Sequence, residues 1–248
     1  MELQAQEGRL IAAAGPGRVL VATAVPVERD AVAAGLGVPP GSDEAVPGAA
    51  GRSFDVIAAG VGPARAAAST ASALTAAALK GAPYGLVVSA GIGGGFLPGA
   101  PVGSLVVADE IVAADLGAET EDGFLPVTEL GFGTVRHEPP AELVRRAAGI
   151  TGARAGAVLT VSTVTGTAAR AAALRKRHPT ALAEAMEGFG VAEAAAAQGV
   201  PVLEIRAVSN PVGPRDRAAW RIGDALAALT EGFGKLAPVL ESWNRHDS

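Results

Sequence analysis

Short apolar runs alternate with Ala-rich stretches of helical length, and glycine or proline marks most of the junctions. This alternation is the strongest constraint on the fold, because buried strands separated by helices assemble into a sheet covered on its faces. "RVLVATA" (18–24), "FDVIAAG" (54–60), "YGLVVSAG" (84–91), "AGAVLTVST" (155–163) and the run at 202–208 read as buried strands. "GSLVVADEIVAAD" (103–115) reads as one long or two short strands. Helices are predicted from Pro26 to about Ala34, through the Ala-rich segment closed by Gly81, from Thr167 to Arg177, over about 187–198 and over about 217–241. Residues 116–140 are polar and irregular, as suits a surface excursion or a lid. No repeat and no linker divides the chain, so a single α/β domain over 18–248 is expected. Residues 1–17 read as a frayed extension or a start-site artefact and stand outside that domain.

Composition narrows the chemistry. Hydrophobic residues make up 49% of 248, enough for one sizeable core, while aromatics supply only 4%, so packing through small side chains is expected. With no cysteine, disulfides and thiolate metal sites are excluded, and a reducing compartment, the cytoplasm, fits. His137, His178 and His246 are widely spaced and form no ligand pattern, so no metal is expected. A net charge of −5 argues against a nucleic-acid surface, and no segment reads as a signal peptide or a membrane span.

Two glycine clusters end predicted strands. "GVGPARA" (60–66) lacks the third glycine of a dinucleotide fingerprint and reads first as a tight turn into a helix. "GIGGGFLPG" (91–99) would let a flat ligand lie against bare backbone. Glu28 and Glu187 fall at helix starts, where an acid is commonly no more than a complement to the helix dipole. Asn210 ends the last strand at a Pro. Glu28, the 91–95 glycines, Glu187 and Asn210 all follow strands or open helices, an arrangement compatible with one shared pocket.

These segments resemble the nucleoside phosphorylase/nucleosidase superfamily over roughly residues 18–240, nearest to the bacterial 5′-methylthioadenosine/S-adenosylhomocysteine nucleosidases and the related futalosine hydrolases. The matching pieces are "ATAVPVERDAV" (22–32), "GVGPARAAAS" (60–69), "SAGIGGGFLPGAPVGSLVVADE" (89–110), "VSTVTGT" (161–167), "AMEGFGVAEAA" (185–195) and "IRAVSNPVGPRDRAAW" (205–220). The resemblance implies a three-layer α/β domain with a central mixed, twisted sheet flanked by helices. It implies that Glu28 activates water, that Met186 packs on a ribose and that Glu187 grips its hydroxyls. By the same carry-over, backbone around Val164 hydrogen-bonds the purine, and Gly93 and Gly94 lie beside sugar and base. It further implies a soluble homo-oligomer, dimeric or larger, acting on a nucleoside without a cofactor.

Asn210 departs from the aspartate that protonates adenine in the adenine-specific relatives. An amide can donate to O6 of a 6-oxopurine and accept from an N7–H, whereas an ionised Asp would repel the carbonyl. A buried acceptor mismatch costs on the order of 1–3 kcal/mol, enough to select a base. The loop positions that carry phosphate-binding groups in the superfamily's phosphorylases are Ser89 and Ile92 here, and Glu28 would repel phosphate, so water is the expected nucleophile. The reaction implied is hydrolysis of the N-glycosidic bond of a 6-oxopurine nucleoside, foremost futalosine, on a route to menaquinone. Futalosine's benzoate calls for an arginine. Arg215, Arg217 and Trp220 follow Asn210, with Phe96 expected to wall the glycine loop and a surface Arg–Asp network through Asp216 as the competing account. A purine nucleoside phosphorylase, an adenine-directed nucleosidase and a non-catalytic nucleoside-binding protein are the alternatives.

Overall fold

A computed structural model describes residues 17–39 and 54–243, so all of the expected N-terminal extension except Gly17, most of the Pro/Gly-rich loop after the first helix, and His246 lie outside the described residues. The chain runs β1 (Arg18–Thr23), α1 (Pro26–Gly35), β2 (Phe54–Ala58), α2 (Pro63–Leu79), β3 (Tyr84–Gly95) and β4 (Leu105–Ala113). A small hairpin, β5 (Gly117–Thr120) and β6 (Gly123–Pro126), then leads to β7 (Arg136–His137), α3 (Ala141–Thr151), β8 (Arg154–Thr160), α4 (Ala168–Arg177) and β9 (Ala181–Ala185). α5 (Gly188–Ala197), β10 (Val202–Pro211), a 3₁₀ turn at Arg217–Ala219 and α6 (Ile222–Glu241) complete it.

The central sheet is mixed, as expected, and it also closes on itself. β3 pairs in parallel with β1 and β10, and its last two glycines pair antiparallel with β9. β10 pairs antiparallel with β4, β4 in parallel with β8, and β8 in parallel with β9. β3, β10, β4, β8 and β9 therefore form a ring, from which β1 and β2 extend as a wing. The twist inherent in strands brings the ends of so long a sheet together.

Strand alternation feeds two cores. Val19 and Val21 of β1 face a cluster built with α1, α3 and α6, whereas Leu20 and Ala22 face one built with α2 and α5. Small residues let the helices approach closely, in line with the low aromatic content. A Cβ on Gly190 of α5 would lie 2.0 Å from the Pro63 carbonyl of α2, a contact only glycine permits. A third, smaller cluster joins β8 and α4 around Leu159 and Leu174.

Several boundaries differ from expectation. The second glycine cluster is strand rather than loop as far as Gly95, because β9 and β10 bind its two edges. β4 is one strand with a bulge between Ala108 and Glu110. The excursion at 116–140 holds the β5–β6 hairpin, and β7 ties its end to β4. α3 and β9 have no counterpart in the sequence reading, and the last helix starts at Ile222, leaving Trp220 in the preceding connection.

Candidate active site

The C-terminal ends of β1, β3, β9 and β10 open on a cavity of about 440 Å³. Glu28, Gly93, Gly94, Val164, Met186, Glu187, Asn210, Arg215 and Trp220 line it, so residues distant in the chain meet in one place. Phe96 does not. Its backbone N–H donates to the Leu182 carbonyl at 2.8 Å, and its ring, 3% exposed, packs in the Leu159–Leu174 core instead of walling the glycines.

Glu28 occupies the third position of α1, which Pro26 opens. Its Oε2 accepts from the backbone N–H groups of Ala24 (2.9 Å) and Val25 (3.3 Å), the second being half of a capping box. Its Oε1 reaches across to β3 and accepts from the Ile92 N–H at 2.9 Å. The carboxylate that caps the helix also lines the cavity, where three N–H groups fix it, 3% exposed.

Glu187 is the N-cap residue of α5. Its Oε1 accepts from the Gly62 N–H at 3.2 Å. Gly62 has φ of +88°, which aims that amide and explains the first glycine cluster as a tight turn rather than a phosphate cradle. Its Oε2 lies 3.4 Å from Nη1 of Arg206.

Arg206 went unremarked in the sequence, yet it organises the floor. The guanidinium is 1% exposed and donates to Glu204 Oε1 (2.8 Å), Glu187 Oε2 (3.4 Å) and Ser89 Oγ (2.9 Å). The surrounding carboxylates Glu204, Glu187 and Glu28 raise its pKa against the opposing effect of burial. Burial pushes Glu204 up, opposed by its pairing with Arg206, and its Oε2 has no partner. A signal was present in "LEIRAV": two charges spaced by two in an otherwise apolar strand must share a face and pair if that strand is buried.

A third glutamate, Glu184 of β9, also lines the cavity. Its Oε1 accepts from the Thr165 N–H at 2.8 Å and its Oε2 pairs with the Thr165 hydroxyl. Burial raises its pKa, while the Thr165 hydrogen bonds and Arg170 oppose the rise. On the opposite side, Ser209 has one hydroxyl proton and two acceptors, Asn210 Oδ1 at 2.9 Å and the Gly93 carbonyl at 3.2 Å. Asn210 Nδ2 donates to the Pro211 carbonyl at 3.0 Å, leaving its second N–H for a ligand. At the mouth, the guanidinium carbons of Arg215 and Arg217 lie 5.6 and 5.7 Å from the Trp220 ring centre. Asp216 caps the 3₁₀ turn by accepting from the Ala218 N–H at 3.1 Å.

The chain belongs to the phosphorylase superfamily, whose model matches residues 18–240. Within that class it is similar to the futalosine hydrolase of Streptomyces coelicolor, 76% identical over 92% of this chain and 99% of that one. It is likewise similar to the futalosine hydrolase of Acidothermus cellulolyticus, 47% identical over 88% of this chain and 89% of that one. Among solved structures, a 5′-methylthioadenosine/S-adenosylhomocysteine nucleosidase of Neisseria meningitidis shares the fold with a TM-score of 0.71 at 20% identity, covering 92% of this chain and 100% of that one. Futalosine hydrolase of Helicobacter pylori, in a mutant form, also gives 0.71, at 18% identity over 90% of this chain and 98% of that one. Among the described residues no helix is long and apolar enough to cross a membrane.

Proposed function

We propose that this chain hydrolyses the N-glycosidic bond of futalosine and releases hypoxanthine, on a route to menaquinone. The observation that carries the reading is the meeting of Glu28, Glu187 and Asn210 around one cavity, with Glu187 held from beneath by the buried Arg206. Glu187 grips the ribose hydroxyls, and its negative charge favours the oxocarbenium-like sugar that forms as the bond breaks. Glu28 takes a proton from the attacking water, and three N–H bonds set the direction of its free lone pairs. Met186 packs on the ribose, and backbone at Gly93, Gly94 and Val164 borders sugar and base. Asn210 turns its remaining N–H to O6 of the leaving base. Arg215 and Trp220 at the mouth suit the benzoate of the 5′ substituent, the guanidinium for its carboxylate and the indole for its ring.

Water is favoured over phosphate because the guanidinium nearest Glu28 and Glu187, that of Arg206, is buried beneath the cavity and already bound to Glu204, Glu187 and Ser89. A phosphate placed there would face the Glu28 carboxylate. The decisive assay follows base release from futalosine, inosine and methylthioadenosine, each with and without phosphate. Phosphate-independent release of hypoxanthine, fastest from futalosine, is the expected result. A phosphate requirement would identify a phosphorylase, and faster release of adenine from methylthioadenosine an adenine-directed nucleosidase. Binding without turnover, unchanged in Glu28→Gln, would identify a nucleoside-binding protein.

The same reading takes 18–248 as the catalytic domain of a cytoplasmic homo-oligomer. Exposed Leu116, Leu130 and Phe132 on the excursion after β4 offer apolar surface for self-association, and light scattering of the purified chain tests it.

A further inference from the structure

The roles above leave one buried carboxylate of the cavity unused. Glu184 is 5% exposed, and a carboxylate withdrawn from water is costly unless its lone pairs are matched. Thr165 fills one site on each oxygen, and an ionised carboxylate has about four. Holding the Thr165 turn would not need a charge, since the neutral oxygen of Gln would accept the same N–H.

Strand register shows what Glu184 faces. β9 and β10 flank the end of β3, with Glu184 opposite Gly94 on one edge and Asn210 opposite Gly94 on the other. The shift between Val208 and Asn210 is what brings Asn210 level with that glycine. Residues in one row leave the sheet on one face, so Glu184 and Asn210 stand two strand spacings apart, roughly 9–10 Å between backbones, and both line the cavity. Only Gly94 separates them, and it admits no side chain: a Cβ there would lie 2.9 Å from Val212 Cγ2 and 3.4 Å from Asn210 Nδ2. A planar base set against this row presents one edge to the amide and another to the carboxylate.

A 6-oxopurine carries an N1–H donor beside its O6 acceptor, whereas adenine carries an N1 lone pair beside an amino group. An ionised carboxylate accepts only; burial raises the Glu184 pKa, and the two hydrogen bonds from Thr165 oppose that rise. We propose that Glu184 is a second base-specificity residue, accepting the N1–H of a 6-oxopurine while Asn210 reads its O6. The proposal rests on the reading that the substrate is a 6-oxopurine nucleoside. Against adenine, the carboxylate opposes lone pair to lone pair, so rejection comes from repulsion as well as from a lost bond.

Glu184→Gln keeps the volume and the Thr165 N–H acceptor, and adds a donor that adenine N1 can use. The kcat/KM ratio of futalosine over its 6-amino counterpart should fall at least ~10-fold in this variant, as expected when a group that demands a donor is replaced by one that tolerates either base. A support role alone would lower both substrates together and leave the ratio unchanged, and that result overturns the proposal. Calorimetry on the unaltered protein supplies a test that needs no variant. N1-methylhypoxanthine should bind at least ~10-fold more weakly than hypoxanthine, the methyl having removed the donor, and equal binding overturns the proposal. The two readings fail separately. Equal wild-type rates on both nucleosides would overturn the 6-oxopurine reading and this one with it. A preserved wild-type preference with an unchanged ratio in Glu184→Gln would overturn only the role of Glu184.

Discussion

Glu28 of α1 and Arg206 of β10 meet over the α-carbon of Gly91: a methyl at that carbon would lie 2.7 Å from Oε1 of the first and 2.7 Å from Nη1 of the second. Neither residue is near the other in sequence. The absence of one side chain on β3 allows the Glu28 carboxylate and the guanidinium that holds Glu187 to lie side by side.

Gly91→Ala tests that packing. The methyl must displace Glu28, Arg206 or both, and misplacing a reacting group by ~1 Å can cost ~100-fold in rate. We expect kcat on futalosine to fall ~10- to 100-fold, with a stability loss of about 1–3 kcal/mol from overpacking. Steady-state kinetics and urea denaturation measure the two effects, and an unchanged kcat would contradict the packing.

Glu28→Gln separates proton transfer from shape. The amide retains an acceptor but turns a donor toward the N–H groups of Ala24 and Val25 or that of Ile92. Loss of a general base lowers kcat by about 100- to 10,000-fold, whereas the mismatched hydrogen bond should cost only about 1–3 kcal/mol of stability. A folded variant retaining more than about a tenth of wild-type turnover would falsify the assignment of Glu28 as base.

Asn210→Asp replaces the amide donor of the cavity wall, proposed above to meet O6, by a second acceptor. Hydrolysis of futalosine should weaken by about 10- to 100-fold in kcat/KM, in line with ~1–3 kcal/mol for an opposed pair of acceptors. Adenine nucleosides should be spared or improved. Competition between futalosine and methylthioadenosine in one reaction reads the change, and equal effects on both substrates would remove Asn210 from base selection.

His178, after α4, gives a dependence of stability on pH. Burial, with Arg177 adding to it, holds its pKa below the ordinary 6.5. On acidification the unfolded chain therefore takes up this proton first, so the stabilisation is full above about pH 6.5 and declines as pH falls through the lower folded value. His178→Asn should narrow its deficit in melting temperature relative to wild type between about pH 7.5 and 5.5. A deficit that stays constant over that range would show that His178 does not titrate differently in the two states.

Much of this arrangement was legible in the residues. Glu28 and Glu187 open helices after strands, and Asn210 ends a strand at a Pro, so their convergence follows from the end of the sheet they share. β9 was not legible, because "ALAEA" has no β-branched or aromatic residue and its Ala and Glu favour a helix. It becomes a strand because β8 and the end of β3 offer it edges on both sides. Missing β9 hid Glu184. Arg206 was hidden differently: its strand was recognised, but pairing inside that strand depends on Ser89, Glu187 and Glu204 arriving from separate elements. Phe96 misled because the strand continues through the glycines, which turns the ring into the core.

The closed ring of strands also sets where the molecule can yield. β3, β9 and β10, which carry Gly94, Glu184 and Asn210 of the cavity wall, each have partners on both edges. Backbone amides paired within this circuit reach solvent only when the pairing opens, which puts Gly94 and Arg206 among the slow positions to exchange hydrogen, whereas the Ile92 N–H depends on the Glu28 carboxylate. The connection between β10 and α6 is built differently, with Arg215 before a single 3₁₀ turn and Trp220 capping its end. The wall of the cavity and its mouth thus belong to parts of the chain that differ in stiffness.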